Sequence, residues 1–148
     1  MRHLFTIALF TMALVLTASC DMKIEGSDNG DLDGFWNLTQ VDSTATGVTV
    51  EVHDLRLFWS VQHKLLQLQD FQEQNPTCLL RFEKNGQQLT LSSPFLYNRD
   101  EGDQPVEDIS VLAPYGINAM PETFQIQKLN GSKMILKTDI VTLYFTRF

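Results

Sequence analysis

The sequence predicts an all-β domain, an antiparallel up-and-down barrel of about eight strands with one short helix. Three observations carry that expectation. From Gly34 onward apolar and polar residues alternate at period two, the period of a strand. Two Asn-Gly pairs, Asn85-Gly86 and Asn130-Gly131, punctuate the alternation, and both residues tolerate the positive φ of a tight hairpin. The 129 residues from Cys20 onward make one domain, able to bury about two-thirds of its unfolded surface. Hairpin-linked strands suggest a sandwich or a barrel, and up-and-down order favours the barrel.

Before the strands stand two other segments. Arg2 and His3 precede an apolar run from Leu4 to Leu16, and Leu16-Thr17-Ala18-Ser19-Cys20 closes it. Charge, apolar stretch and small residues are the layout of a secretory leader. About 13 apolar residues are too few to cross a bilayer core that needs roughly 20. With cysteine after the small residues, the segment resembles a bacterial lipoprotein signal, although Thr17 stands where that signal usually has Leu, Val or Ile. The resemblance implies that residues 1–19 are removed and that Cys20 carries lipid. An envelope location follows, anchored at the outer membrane of a Gram-negative cell. Residues 20–33 then read as an acidic, flexible tether, rich in Asp, Gly and Ser.

Within 34–148 the elements follow in order. Phe35 to Val41 is a first strand, with a Thr/Ser/Gly-rich loop after it. Leu55, Leu57, Trp59 and Val61 alternate with Arg56, Phe58 and Ser60 in a second. Gln62-His63 turns the chain into Lys64–Gln69, and Cys78, Leu80 and Phe82 open the next strand. Asn85-Gly86 pairs that strand with Gln87–Ser92. Gln104–Tyr115 breaks the pattern: Pro105 suits a first helical position, and Val106, Ile109 and Leu112 recur every third residue. It reads as one or two helical turns, a plug or flap, with an irregular loop as the alternative. Asn130-Gly131 joins Thr123–Leu129 to Lys133–Thr138, and Ile140–Arg147 is the last strand.

Charge narrows the partners. Without the leader, 10 Lys and Arg face 18 Asp and Glu, a net charge of about −8. Nucleic acid is disfavoured, because affinity for phosphate depends on Lys and Arg displacing counterions. Cys78 has no second cysteine in the domain to pair with, and its strand context makes it a core residue rather than a reactive thiol.

Gly34-Phe35-Trp36 opens the first strand and Arg147 lies on the last. This resembles the lipocalins and the wider calycin group, whose Gly-x-Trp opens the first strand and whose late Arg or Lys packs across the tryptophan. The resemblance covers about residues 34–148 and implies that Trp36 and Arg147 close the barrel base. It also implies kinship with small lipocalin-like envelope lipoproteins. One departure is visible: that family's main helix comes late, whereas the helix candidate here precedes three strands.

No catalytic set emerges, and the expectation is a protein that is not an enzyme, without cofactor or metal. Glu51 and His53 share a strand face, but a metal needs three or four converging ligands. His63 sits in a turn. There is no Gly-x-Ser-x-Gly and no phosphate loop. Asp100-Glu101-Gly102-Asp103, with Glu107 and Asp108, lacks the spacing of a calcium loop. Asp42-Ser43-Thr44 resembles a short O-glycan acceptor of some envelope proteins, so Ser43 or Thr44 is a candidate modification site.

The remaining lead is the interior. Inward positions include Leu57, Trp59, Val61, Leu66, Leu80, Phe82 and Phe124, the candidate lining for a small hydrophobic or amphipathic ligand. An eight-stranded barrel holds either side chains or one small ligand. The alternative is a protein-interaction module with a filled core, docking another envelope protein through outward Phe35, Phe58, Phe71 and Phe95. A cavity of about 300 Å³ or more separates the two.

Overall fold

The computed structural model describes residues 27–148, so the leader, Cys20 and the first part of the tether lie outside the described residues. Ten strands form one antiparallel sheet: β1 (Gly34–Ser43), β2 (Thr49–Glu51), β3 (Leu57–Gln62), β4 (Leu65–Asp70), β5 (Cys78–Asn85), β6 (Gln88–Leu96), β7 (Gln104–Pro105), β8 (Glu122–Leu129), β9 (Lys133–Lys137) and β10 (Val141–Arg147). Eight of them run in the order β10-β9-β8-β6-β5-β4-β3-β1, and β1 also pairs with β10, which closes the barrel.

The two extra strands fill out broken positions. The first part of β1 pairs with β3 and its later part with β2, the chain leaving the ladder between them at Val52–Arg56. In the same way β6 pairs first with β8 and then with β7. Both breaks lie at the end where β4, β6 and β9 finish. That end is the mouth, and the opposite end is the base.

Turn chemistry explains the connections. Gly86 takes the positive φ that its hairpin requires. Gly131 does not: its turn is held by Asn130, whose Oδ1 accepts from the backbone of Ser132 and Lys133. His63, rather than a glycine, is left-handed between β3 and β4. The Asp70 carboxylate is buried because it accepts from the backbone of Gln72, Gln74 and Asn75, shaping the β4–β5 loop at the mouth.

Three expectations need correcting. Leu55 is 48% exposed and does not begin a strand. It ends a 3₁₀ turn, His53–Leu55, closed by a left-handed Arg56. The helix is shorter than Gln104–Tyr115. Pro105 lies in β7, opposite Phe95 at an edge where its missing N–H is tolerated, and the helix is a 3₁₀ segment, Ile109–Tyr115, capped by Asp108. Of the residues spaced by three, Val106 precedes the helix and Ile109 is exposed, so only Leu112 is a core position within it. Finally, part of the segment read as tether packs on the domain, because Leu32 in the Gly30–Leu32 turn is fully buried.

Candidate functional site

At the base the two ends of the domain meet. Trp36 pairs opposite Arg147, whose guanidinium carbon lies 4.5 Å from the indole centroid. Arg147 Nη1 donates to the Asp33 carbonyl and Nη2 to the Asp31 carbonyl, both at 2.6 Å. Trp36 Nε1 donates to the Leu32 carbonyl at 2.9 Å. The planar guanidinium therefore stacks on one group and bridges two others at once, which a lysine cannot do. Gly34 has φ +142°, and a Cβ there would fall on Arg147 Nη1. Asp33 holds the preceding turn by accepting from Ser27 Oγ, Asn29 N and Asn29 Nδ2. Burial works against its charge, but these hydrogen bonds outweigh it and hold the carboxyl below its ordinary value.

The interior is filled. Leu57, Trp59, Val61, Leu66, Leu80 and Phe124 are all buried in one apolar cluster, and Phe82 is half-buried against it. Phe124 and Phe145 meet Trp59 edge-on, at 5.9 and 4.9 Å between centroids. From the mouth, Leu112, Tyr115 and Ile117 descend onto this cluster and are fully buried. Trp59 Nε1 donates to the Tyr115 carbonyl, and the Tyr115 hydroxyl donates to the Pro76 carbonyl. A cleft beside the plug, reaching Leu57, Asp70 and Pro114, measures about 120 Å³. A second cleft along the plug segment, lined by Leu96, Val106 and Val111 among others, measures about 360 Å³, but neither cleft is lined by Trp59, Phe82 or Phe124. Burial pushes the Cys78 thiol up to about 11 and raises the Tyr115 hydroxyl.

Outside the barrel the aromatic residues gather. Phe35 stacks on Phe58 at 4.6 Å with planes 5° apart, Phe71 packs on both, and Phe148 meets the stack edge-on. Phe58 faces outward yet is 1% exposed, because this cluster covers it. Phe95 lies elsewhere, in a groove with Leu65, Leu79 and Arg81. Beside the aromatic cluster is a cleft of about 180 Å³, lined by Asn37, His53, Asp54, Arg56, Phe58 and Phe148. Asn37 faces outward between inward Trp36 and Leu38, but it is only 6% exposed, and its Oδ1 has no hydrogen-bond partner. Nothing in the sequence marks Asn37, Arg56 or Phe148, since burial of an outward residue depends on what the fold lays over it.

The remaining candidates stand apart. His53 Nδ1 lies 3.2 Å from Asp54 Oδ1, and among the described residues no three His, Cys, Asp or Glu converge as metal ligands. The acidic run turns on Asn98, whose Oδ1 accepts from the backbone of Asp100 and Glu101. Thr44 is exposed in the β1–β2 turn and Ser43 ends β1, next to Asp42. The Asp42 carboxyl is lowered by hydrogen bonds from Gln40 and Thr49. Cys20 lies outside the described residues.

The family profile described as "Lipocalin-like domain" matches residues 13–148. Among solved structures the barrel is similar to a lipocalin-like protein from Bacteroides uniformis ATCC 8492, with a TM-score of 0.61 and 20% identity, over 80% of this chain and 100% of that one. It is also similar to an uncharacterized protein from Bacteroides eggerthii DSM 20697, with a TM-score of 0.56 and 14% identity, over 78% and 98% of the two chains. No curated protein matches the chain. Both structural likenesses concern the fold alone, while the profile spans nearly the whole sequence. The chain belongs to the lipocalin-like domain family.

Proposed function

We propose that this chain is a non-enzymatic binding module of the Gram-negative envelope, working from the outside of a filled barrel. Lipid on Cys20 holds it at the outer membrane, and its partner is another envelope component, with no metal or cofactor involved. The observation that carries this reading is the pairing of a solid interior with an aromatic cluster on the outer face of β1, β3 and β4. The leader and the cysteine after small residues support the anchor.

A second reading, an apolar ligand inside the barrel, draws support from the lipocalin-like fold and from the plug being a single insertion between β7 and β8. Energetics weigh against it. Expelling Leu112, Tyr115 and Ile117 forfeits about 1.5–3 kcal/mol each, roughly 5–9 kcal/mol together. At about 1.4 kcal/mol per tenfold, an interior ligand loses roughly three to six orders of magnitude in affinity.

Native mass spectrometry of the lipidated protein, purified without denaturant, tests the choice. The expected mass is that of the lipidated polypeptide alone, and a retained apolar molecule overturns the outer-face reading. Cys20→Ala should give soluble protein that takes up no labelled palmitate; a variant that stays in membranes with label defeats the anchor.

A further inference from the structure

We propose that the cleft between Asn37, the His53–Leu55 turn and Phe148 binds a neutral saccharide ring. The proposal rests on the outer-face reading above and names what that face takes. Asn37 is the starting point. Its amide oxygen is buried without a donor. A buried acceptor left unsatisfied costs about 1–3 kcal/mol, and native folds keep few of them. The neighbouring strands cannot supply the missing proton: Asn37 is flanked in register by Phe58 on β3 and Thr146 on β10, and neither side chain donates to it. The donor comes from outside the fold, from water or from a ligand seated at the cleft that Asn37 lines.

The rest of the lining selects the ligand. Arg56 forms no ion pair, and His53–Asp54 is the sole ion pair among the described residues. The Arg56 guanidinium instead lies 5.6 Å from the Phe71 ring, with donors left over. The residue is held at φ 56°, where it closes the His53–Leu55 turn beside the cleft. Asp54 sets a carboxylate beside the Arg56 cation, so the cleft offers acceptors as well as donors. Phe148 is 76% exposed and stands edge-on to the aromatic stack, leaving ring surface free beside these polar groups.

An apolar surface next to closely set donors and acceptors suits a sugar, whose C–H face packs on an aromatic ring while its hydroxyls both give and receive hydrogen bonds. A purely apolar ligand would leave Asn37 and Arg56 unanswered, and an acid would meet Asp54. The cleft of about 180 Å³ sits below drug-sized pockets, which sets the occupant at about one ring, the end or branch of a longer glycan.

The test is an NMR titration of the ¹⁵N-labelled domain from Cys20 onward with glucose, galactose, mannose and N-acetylglucosamine, with a fatty acid as control. At least one sugar should shift the Asn37 side-chain amide and the Phe148 backbone amide saturably. Phe148→Ala, at an exposed site, should weaken that sugar about tenfold or more. Arg56→Gly should weaken it too while keeping the fold, because glycine is at ease at positive φ. If no sugar moves Asn37, or if Phe148→Ala binds as well as the parent, the saccharide assignment is overturned. With Trp59 unmoved throughout, that outcome leaves the outer-face reading intact and points to a partner protein's side chain as the occupant. A fatty acid that shifts the Trp59 indole overturns the outer-face reading itself.

Discussion

At the base of the barrel, residues more than a hundred positions apart are joined by a charged group: Arg147 stacks on Trp36 and bridges the carbonyls of Asp31 and Asp33. At the mouth, closure comes from one continuous insertion, whose Leu112, Tyr115 and Ile117 enter the interior behind an Asp108 cap and a left-handed Gly116. The base ties the first strand to the last, so breaking it opens the β1–β10 seam that makes the sheet a barrel. The mouth ties a loop to a core that is closed already. One end defines the fold, and the other defines what can enter it. Because the mouth is stoppered by the chain's own apolar residues, the recognition surface proposed above is the polar and aromatic wall outside.

Substitutions at each end sharpen the contrast. Trp36→Ala removes a fully buried aromatic from the base and should cost about 3–5 kcal/mol in urea unfolding. A variant that unfolds at the parent's midpoint would show that the seam does not depend on the Trp36–Arg147 contact.

Leu112→Ala at the mouth should cost somewhat less, about 2–4 kcal/mol, and should leave a sign that a base variant does not. With the Cys78 thiol at about 11, roughly one molecule in a thousand carries a thiolate at pH 8. Loosening the plug lets water approach, so the thiol should fall toward its ordinary value and react with a disulfide reagent about tenfold faster or more. Equal labelling rates in the parent and in Leu112→Ala would mean that the plug does not govern access to the interior.

The smallest effect is the pH response of the base. The Asp33 carboxyl is lowered in the folded state, so its contribution to stability is fully present above the unfolded value of about 3.9 and is lost as pH falls through the folded value. Asp33→Asn should therefore be less stable than the parent at pH 7 and approach it in acid. A gap that stays constant between pH 7 and about pH 2 would show that Asp33 acts through its shape and not its charge.

Much of this fold was legible because alternation reports which face is buried. Leu57, Trp59 and Val61 read inward from spacing alone, as did Leu66 with Leu68 and Leu143 with Phe145. Alternation failed where the backbone left the ladder. It ran on through Leu55 into a 3₁₀ turn, and it had no means to see Leu32, a lone apolar residue among Gly30, Asp31 and Asp33. Spacing of three found Leu112 but also singled out Ile109, which is exposed, since a single 3₁₀ segment buries only the part that faces the core. The outer cleft was illegible for another reason. Phe58 and Asn37 both point outward, and only the arrival of Phe71, Phe148 and the His53–Leu55 turn from other parts of the chain buries them.

The central claim is that the interior belongs to the protein's own side chains and that recognition happens on the wall. The Trp59 indole N–H tests it most directly, since it is buried and bound to the Tyr115 carbonyl at 3.1 Å. Followed by NMR while a panel of fatty acids, lipids and porphyrin-like probes is added, its resonance should stay in place and remain protected from exchange with solvent. A saturable shift of that resonance, with loss of the Tyr115 hydrogen bond, would put a ligand inside the barrel and contradict the account.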